Sequence, residues 1–396
     1  MNRLVHSSCR HIFAGSLALG LFVPLAGAYA DDITLYTFTG GGDGGNPPCG
    51  LISGGKGIFP DTGGFYGATG AGGADGYGTV FHVEPGGFET VIHSFTGGSD
   101  GAYPLASLIT DSTASNLYGT TEQGGTYGFG VVFKLTAGGA ETVLYSFTGG
   151  ADGAYPVASL IIDKAGNLYG TTEQGGGSGL GVVFEIPSGG GETVLHSFTG
   201  SDGAFPVAGL AKDAGGNLYG TTVEGGANDV GTVFKLAPDG TETVLHSFGS
   251  ANDGAFPYAG VIMDKAENLY GTTSGGGASG DGTVFKLARK GKEMVLHSFA
   301  GGGDGAHPLS GVTEASGYLY GTTQLGGAND EGVVYKTPAK AGSDTVLYSF
   351  TGGSDGGLPQ GGVLDVSGDL FSTAYAGGDA GCAGGGGCGV VFEITP

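Results

Sequence analysis

A chain of 396 residues with 91 glycines, 15 prolines, four cysteines and a formal charge of −23 lacks the clustered positive charge that nucleic acid or an anionic lipid surface requires. Its 14 lysines and arginines are sparse and scattered along the sequence, and an acidic, weakly charged surface is that of an exported, solvated protein. Glycine and proline at this level without a period would indicate disorder, so the period described next decides the class.

Residues 1–30 read as a removed export signal. Arg3 and Arg10 give a positive start, Ile12–Gly27 is a short apolar run broken by Ser16 and Pro24, and Ala28-Tyr29-Ala30 supplies a small-x-small cleavage pattern ahead of Asp31. The run is too short and interrupted for a membrane span, and Cys9 precedes it, so it is not a lipid-anchor cysteine.

From Ile33 onward three landmarks recur. A strand-ending aromatic falls at Phe38, Phe95, Phe147, Phe198, Phe248, Phe299 and Phe350. An Asp-Gly follows at Asp43, Asp100, Asp152, Asp202, Asp253, Asp304 and Asp355. An L-Y-G-T-T-like run is centred on Tyr66, Tyr118, Tyr169, Tyr219, Tyr270 and Tyr320, with Phe371 in the seventh place. The aromatics are spaced 50 to 52 residues apart, 57 in the first unit, and ten residues, Asn116–Gly125, reappear letter for letter at Asn167–Gly176. A period of this size signals a propeller, solenoid or array.

Each unit holds four short runs rich in Val, Ile, Leu, Tyr, Phe and Thr, bounded by Gly, Asp or Asn. In the third these are Pro156–Asp163, Asn167–Thr172, Gly181–Ile186 and Glu192–Phe198. No window carries a 3.6-residue apolar period. Four strands in each of seven units predict an all-β, seven-bladed β-propeller filling 31–396 as one domain. Small pairs such as Ala158-Ser159, Ala208-Gly209 and Gly361-Gly362, each following a proline, mark the innermost strand, where converging blades leave least room. In the second strand Gly119 is expected to let the next blade approach closely. Thr34–Phe38 is expected to become the outer strand of the last blade, so that both termini close the ring; seven self-contained blades also fit the count.

The unit at Glu141–Gly176, E-T-V-L-Y-S-F-T-G-G-A-D-G-A-Y-P-V-A-S-L-I-I-D-K-A-G-N-L-Y-G-T-T-E-Q-G-G, resembles the GloVer tandem repeat of bacterial exported proteins described as choice-of-anchor. The likeness covers all seven units and fades in the last, where Leu370-Phe371-Ser372-Thr373-Ala374 replaces L-Y-G-T-T. It implies an extracellular or surface protein and brings no catalytic residues. Relatives of this kind often carry a C-terminal sorting segment. This chain stops at Pro396 after its last strand, so the expectation is a secreted or periplasmic protein without covalent anchoring.

The aromatic-to-proline loops and the T-T-x-x-G-G loops should share one face, the expected place for function because its loops are longer. There the residue before the proline changes: Tyr103, Tyr155, Phe205, Phe256, His307 and Leu358. The first five are the candidate ligand-binding set, since aromatic faces stack on sugar rings; the alternative is packing against the next blade. The Asp-Gly residues read as self-capping turns rather than calcium sites, because each loop offers little more than one carboxylate. Glu122, Glu173 and Glu224 read as solvated loop acids. His93, His196, His246 and His297 alternate with Tyr145 and Tyr348, which argues against metal ligation. Cys49 reads as a small buried hydrophobe, and Cys382 and Cys388 as a disulfide stapling a Gly-rich loop. No cofactor or metal is expected. The leading expectation is a monomeric, non-enzymatic propeller binding a polysaccharide or a surface protein through its loop face. The rivals are a propeller lyase or glycosidase using loop carboxylates and a structural module. An active site, if present, is expected where the departing first unit (Ser53–Gly64) meets the seventh (Cys382–Cys388).

Overall fold

Alternation within five-residue runs, with both faces apolar, makes each unit a sheet that must be covered on two sides, and a ring of sheets does this. A computed structural model describes residues 31–54, 63–136, 138–249, 252–289, 291–340, 342–379, 381–382 and 386–396. The expected export signal at 1–30 and most of the Ser53–Gly64 turn lie outside the described residues. Among those residues there is no helix, hence none long and apolar enough to cross a membrane. Seven four-stranded antiparallel sheets form the blades of a β-propeller. Blade 3 is Ile161–Ile162, Leu168–Thr172, Val182–Ile186 and Thr193–Ser197, running outward in chain order.

The innermost strands are shorter than expected. Only Ile161 and Ile162 pair within blade 3, against Tyr169 and Leu168. The preceding residues face other blades instead. A Cβ on Gly209 would lie 3.2 Å from the Ser159 carbonyl oxygen, one on Gly260 2.3 Å from that of Gly209, and one on Gly50 2.6 Å from that of Gly362. Around the axis, backbone meets the backbone of the neighbouring blade, so the small pairs are a steric requirement of convergence.

The second-strand glycine serves its own blade and not, as expected, the next one. A Cβ on Gly170 would lie 2.7 Å from Phe184 Cζ and 2.8 Å from Leu160 Cδ2, both of blade 3. Phe184 is fully buried there, and Phe147 of blade 2 meets it edge-on at 5.1 Å. The same contact recurs as Phe198–Phe234, Phe248–Phe285 and Phe350–Phe392, so the strand-ending aromatic is the wedge between blades.

The two threonines divide the remaining work. Thr171 Oγ1 donates across the interface to the Ala208 carbonyl of blade 4 at 3.1 Å, and Thr120, Thr221, Thr272, Thr322 and Thr373 do likewise. Thr172 Oγ1 instead bonds inside blade 3, donating to the Gln174 carbonyl at 2.8 Å and accepting the Val182 N–H at 3.3 Å. Blade 1 has Ala68 where the others have the clasping threonine. The duplicated ten residues are therefore a strand, an interblade clasp and a turn.

The ring closes through both termini. Asp31–Thr37 is the outer strand of blade 7, pairing antiparallel with Val390–Thr395 from Asp31↔Thr395 to Thr37↔Val390. This covers the edge that a linear array would expose and excludes seven self-contained blades.

Candidate functional site at the loop face

Two loops per blade meet on one face, and backbone bonds tie them. In blade 3 Ala154 bridges Gln174, the Glu173 N–H donates to the Tyr155 carbonyl at 3.0 Å, and the Tyr155 N–H donates to the Phe129 carbonyl of blade 2 at 3.0 Å. The residue before each proline is thus gripped by its own blade and by the preceding one. The grip holds it in the left-handed region: φ is 58° at Tyr103 and Tyr155, 56° at Phe205, 57° at Phe256, 53° at His307 and 51° at Leu358. An L-residue ordinarily disfavours this by about 1–2 kcal/mol, and the residue before proline is normally extended. The sequence carries no sign of this geometry beyond the recurring proline.

Tyr103, Tyr155, Phe205 and Phe256 stand in four consecutive blades, each in the loop that leads into its inner strand. Tyr103 lies edge-on to Tyr77 and Tyr155 to Phe129, each at 5.7 Å. The contacted ring belongs to the preceding blade, not the next. Packing uses one edge and leaves these residues half-exposed, and Phe256 is 37 % exposed. His307 turns its Nδ1 to the Ser274 carbonyl at 2.8 Å.

The loop acids differ from expectation. Glu122 and Glu173, adjacent in the ring, are buried at 7 % and 6 % exposure, whereas Glu224 is exposed. Burial, and then the neighbouring charge of Glu122, pushes the Glu173 carboxyl up to about 7. The position after T-T begins the loop beside the inner strands, and the identical T-T-E-Q-G-G in consecutive units was the available signal that two acids would sit side by side.

The Asp-Gly carboxylates are spent inside their loops. Asp152 accepts the Thr148 N–H at 2.7 Å and the Tyr145 hydroxyl at 3.0 Å. His196 and His246 make the equivalent contact to Asp202 and Asp253, at 2.9 and 3.0 Å. His297, Asp304 and Asp344 converge within 4.8 Å, a spacing a metal could use. Yet the two ring nitrogens of His297 face one carboxylate each, at 3.4 Å to Asp304 and 3.3 Å to Asp344, so the imidazole stands between the two acids. Cys382 and Cys388 are bonded, with Cα atoms 5.7 Å apart, and both pack into the core between blades 7 and 1. Cys49 is buried, its thiol turned to the Ala68 carbonyl at 3.9 Å.

Charge is segregated in space, although the cations are scattered in sequence. Among the described residues every lysine and arginine, including Lys134, Lys212, Lys235, Lys286, Arg289 and Lys336, lies on the tight-turn end or on the half of a strand leading to it. A groove of 380 Å³ between blades 4 and 5 at that end carries Lys235 and Arg289. Among the described residues the loop face carries acids, such as Asp229, Asp281 and Asp330, and no lysine or arginine.

The Gloeobacter/Verrucomicrobia repeat profile matches residues 15–216 and 166–392. No curated protein matches the chain. Among solved structures, the extracellular domain of a one-component system from B. thetaiotaomicron is 12 % identical, with a TM-score of 0.56 over 92 % of this chain and 41 % of that one. The extracellular domain of a hybrid two-component system from the same organism is 9 % identical, with a TM-score of 0.57 over 93 % and 40 %. This chain thus spans about two fifths of either protein. A Bacteroides uniformis protein labelled a 6-phosphogluconolactonase is 15 % identical, with a TM-score of 0.51 over 78 % and 88 %. At these identities the likeness is one of fold.

Proposed function

The chain belongs to the Gloeobacter/Verrucomicrobia repeat family, and from that premise we propose that it is an exported, non-enzymatic propeller that binds carbohydrate at the mouth of its loop face. One observation carries the reading: an arc of aromatic side chains, Tyr103, Tyr155, Phe205 and Phe256, fixed on consecutive blades by a backbone that each of them disfavours. Flat apolar area with a fixed orientation is what a sugar ring stacks on. The adjoining Glu122 and Glu173 supply acceptors for hydroxyl groups. A face with no lysine or arginine among its described residues repels uronate and sulfated polymers, so the ligand is a neutral or amino-bearing sugar. Export is supported by the charge and apolar pattern of residues 1–30 and by the Cys382–Cys388 bond, which belongs to an oxidising compartment.

A second reading, glycoside hydrolysis, is favoured by the same carboxylates, because a neighbouring pair with one member raised is an acid–base arrangement. A glycan array probed with residues 31–396 tests the first. Binding to neutral or amino sugars that Tyr103→Ala/Tyr155→Ala abolishes, in a variant that still melts cooperatively, is the expected result. No binding across the panel, or binding indifferent to both rings, overturns it. New reducing ends released from a bound polymer, and lost in Glu173→Gln, would establish the second.

A further inference from the structure

Far from the axis, every seam between the outer strands of adjacent blades holds a related set of groups. Blade 1 contributes His93 and Asp100 to its seam with blade 2, and blade 2 contributes Glu141 from the start of its outer strand. The corresponding sets are Tyr36, Asp43 and Glu89; Tyr145, Asp152 and Glu192; His196, Asp202 and Glu242; and His246, Asp253 and Glu293. Tyr348, Asp355 and Asp32 form the seam of blades 6 and 7. The seam of blades 5 and 6 differs, because Asp344 there lies 3.3 Å from Nδ1 of His297.

Among the described residues the geometry gives the blade-side carboxyl no lysine or arginine partner, and a seam histidine acts on it at Glu293, through His246. Oε1 of Glu89, Glu141, Glu192, Glu242 and Glu293, and Oδ1 of Asp32, are buried without a hydrogen-bond partner. The facing aspartate cannot swing away, since Thr39, Thr96, Thr148 and Thr351 hold its equivalents through their N–H groups at 2.7–2.8 Å. Nor does the glutamate's own sheet help. Lys134, Lys235 and Lys286 pair in register with Thr142, Thr243 and Met294, one residue past the glutamate, and so project from the opposite face.

We propose that these seams act as a proton-dependent lock on the ring: the outer-strand carboxyl is neutral while adjacent blades are closed, and its ionisation loosens them, so the propeller is tightest in a mildly acidic medium. Burial first, and the facing aspartate second, push Glu89, Glu141, Glu192 and Glu242 up to about 7 and Asp32 to about 6. Glu293 is raised by the same causes, with His246 pulling back. A carboxyl raised in the folded state binds its proton more tightly than in the unfolded chain. Stability is therefore full below about pH 4.5 and is lost as pH rises through 7. The partners Asp152, Asp202 and Asp253 are lowered by their hydrogen bonds and lose stability only below their ordinary range, near pH 4. His82 and His93, lowered by burial, oppose the trend, against the six seam carboxyls and Glu173, Glu331 and Glu393, which burial also raises. The optimum thus falls between about pH 4 and 5.

The test is the melting temperature of the full chain from pH 4.5 to 8.5 at constant ionic strength, beside Glu89→Gln/Glu141→Gln/Glu192→Gln/Glu242→Gln/Glu293→Gln. The wild type is expected to lose roughly 5–10 °C over that range, and the variant to lose much less and to melt above the wild type at pH 8.5. A flat or rising wild-type curve, or a variant that keeps the wild-type slope, overturns the proposal. Should the variant not fold, infrared spectra of the wild type decide: a protonated-carboxyl band present at pH 6 and gone by pH 8.5 is expected, and its absence at pH 6 overturns the lock.

Discussion

Thr171→Val removes one hydroxyl from the interface of blades 3 and 4 and changes little else in shape. Thr171 is 1 % exposed, and its partner, the carbonyl of Ala208, belongs to a residue 5 % exposed, so no water replaces the lost donor. A neutral hydrogen bond contributes about 0.5–1.5 kcal/mol net, and a buried carbonyl left unsatisfied costs about 1–3 kcal/mol. The expected destabilisation is therefore about 2 kcal/mol. Thr171→Ser keeps the donor and loses one methyl group, about 0.8 kcal/mol. Equilibrium denaturation followed by both fluorescence and far-ultraviolet dichroism measures the difference, and the two probes must coincide for the free energies to be valid. Valine should cost clearly more than serine. If the two variants are equal, or valine falls within about 0.5 kcal/mol of wild type, the threonine is filling space and the clasp assignment is wrong.

Two further substitutions probe local claims by the same assay. Gly170→Ala drives a methyl group against Phe184 and Leu160 and should cost about 1–3 kcal/mol; a neutral result would return the glycine to a backbone role. Glu267 holds φ at 60° in a turn where blades 3 and 4 carry Gly166 and Gly216, so Glu267→Gly should stabilise by up to about 1 kcal/mol. Its ion pair with Arg289 is largely exposed and offsets little of that gain. A loss of stability there would show that the pair outweighs the strain.

The blade count and the strand order were legible because each rests on a signal that recurs from unit to unit and is bound to residue type, and the closure was legible because the chain begins on a lone outer-strand run, Thr34–Phe38. A proline, a small pair, L-Y-G-T-T and a strand-ending phenylalanine each mean one place in a blade. The extent of the inner strand was not legible. Pro156–Asp163 has β-forming composition, but at the axis the neighbouring backbone occupies the space where a ladder partner would lie, and only Ile161 and Ile162 pair. The role of the second-strand glycine was misread for a related reason. A missing side chain announces a close approach without saying whose, and the approaching atoms belong to Phe184 of the same blade.

The site and the seams were hidden by a different property of the fold. In a closed ring, residues about 51 positions apart become lateral neighbours, so each single residue of the repeat acquires itself as a partner. Glu122 looks like a lone loop acid until Glu173 stands beside it, and the identity of the two decapeptides is what places like charge against like. The seams follow the same logic at a stagger. Glu141 is far from Asp100 in sequence and belongs to another blade, yet the pitch of the ring sets the start of one outer strand against the loop that ends the previous one. Composition records only an excess of acids. The ring decides which of those acids meet water and which meet each other, and the second group sets how tightly the blades close and at what pH.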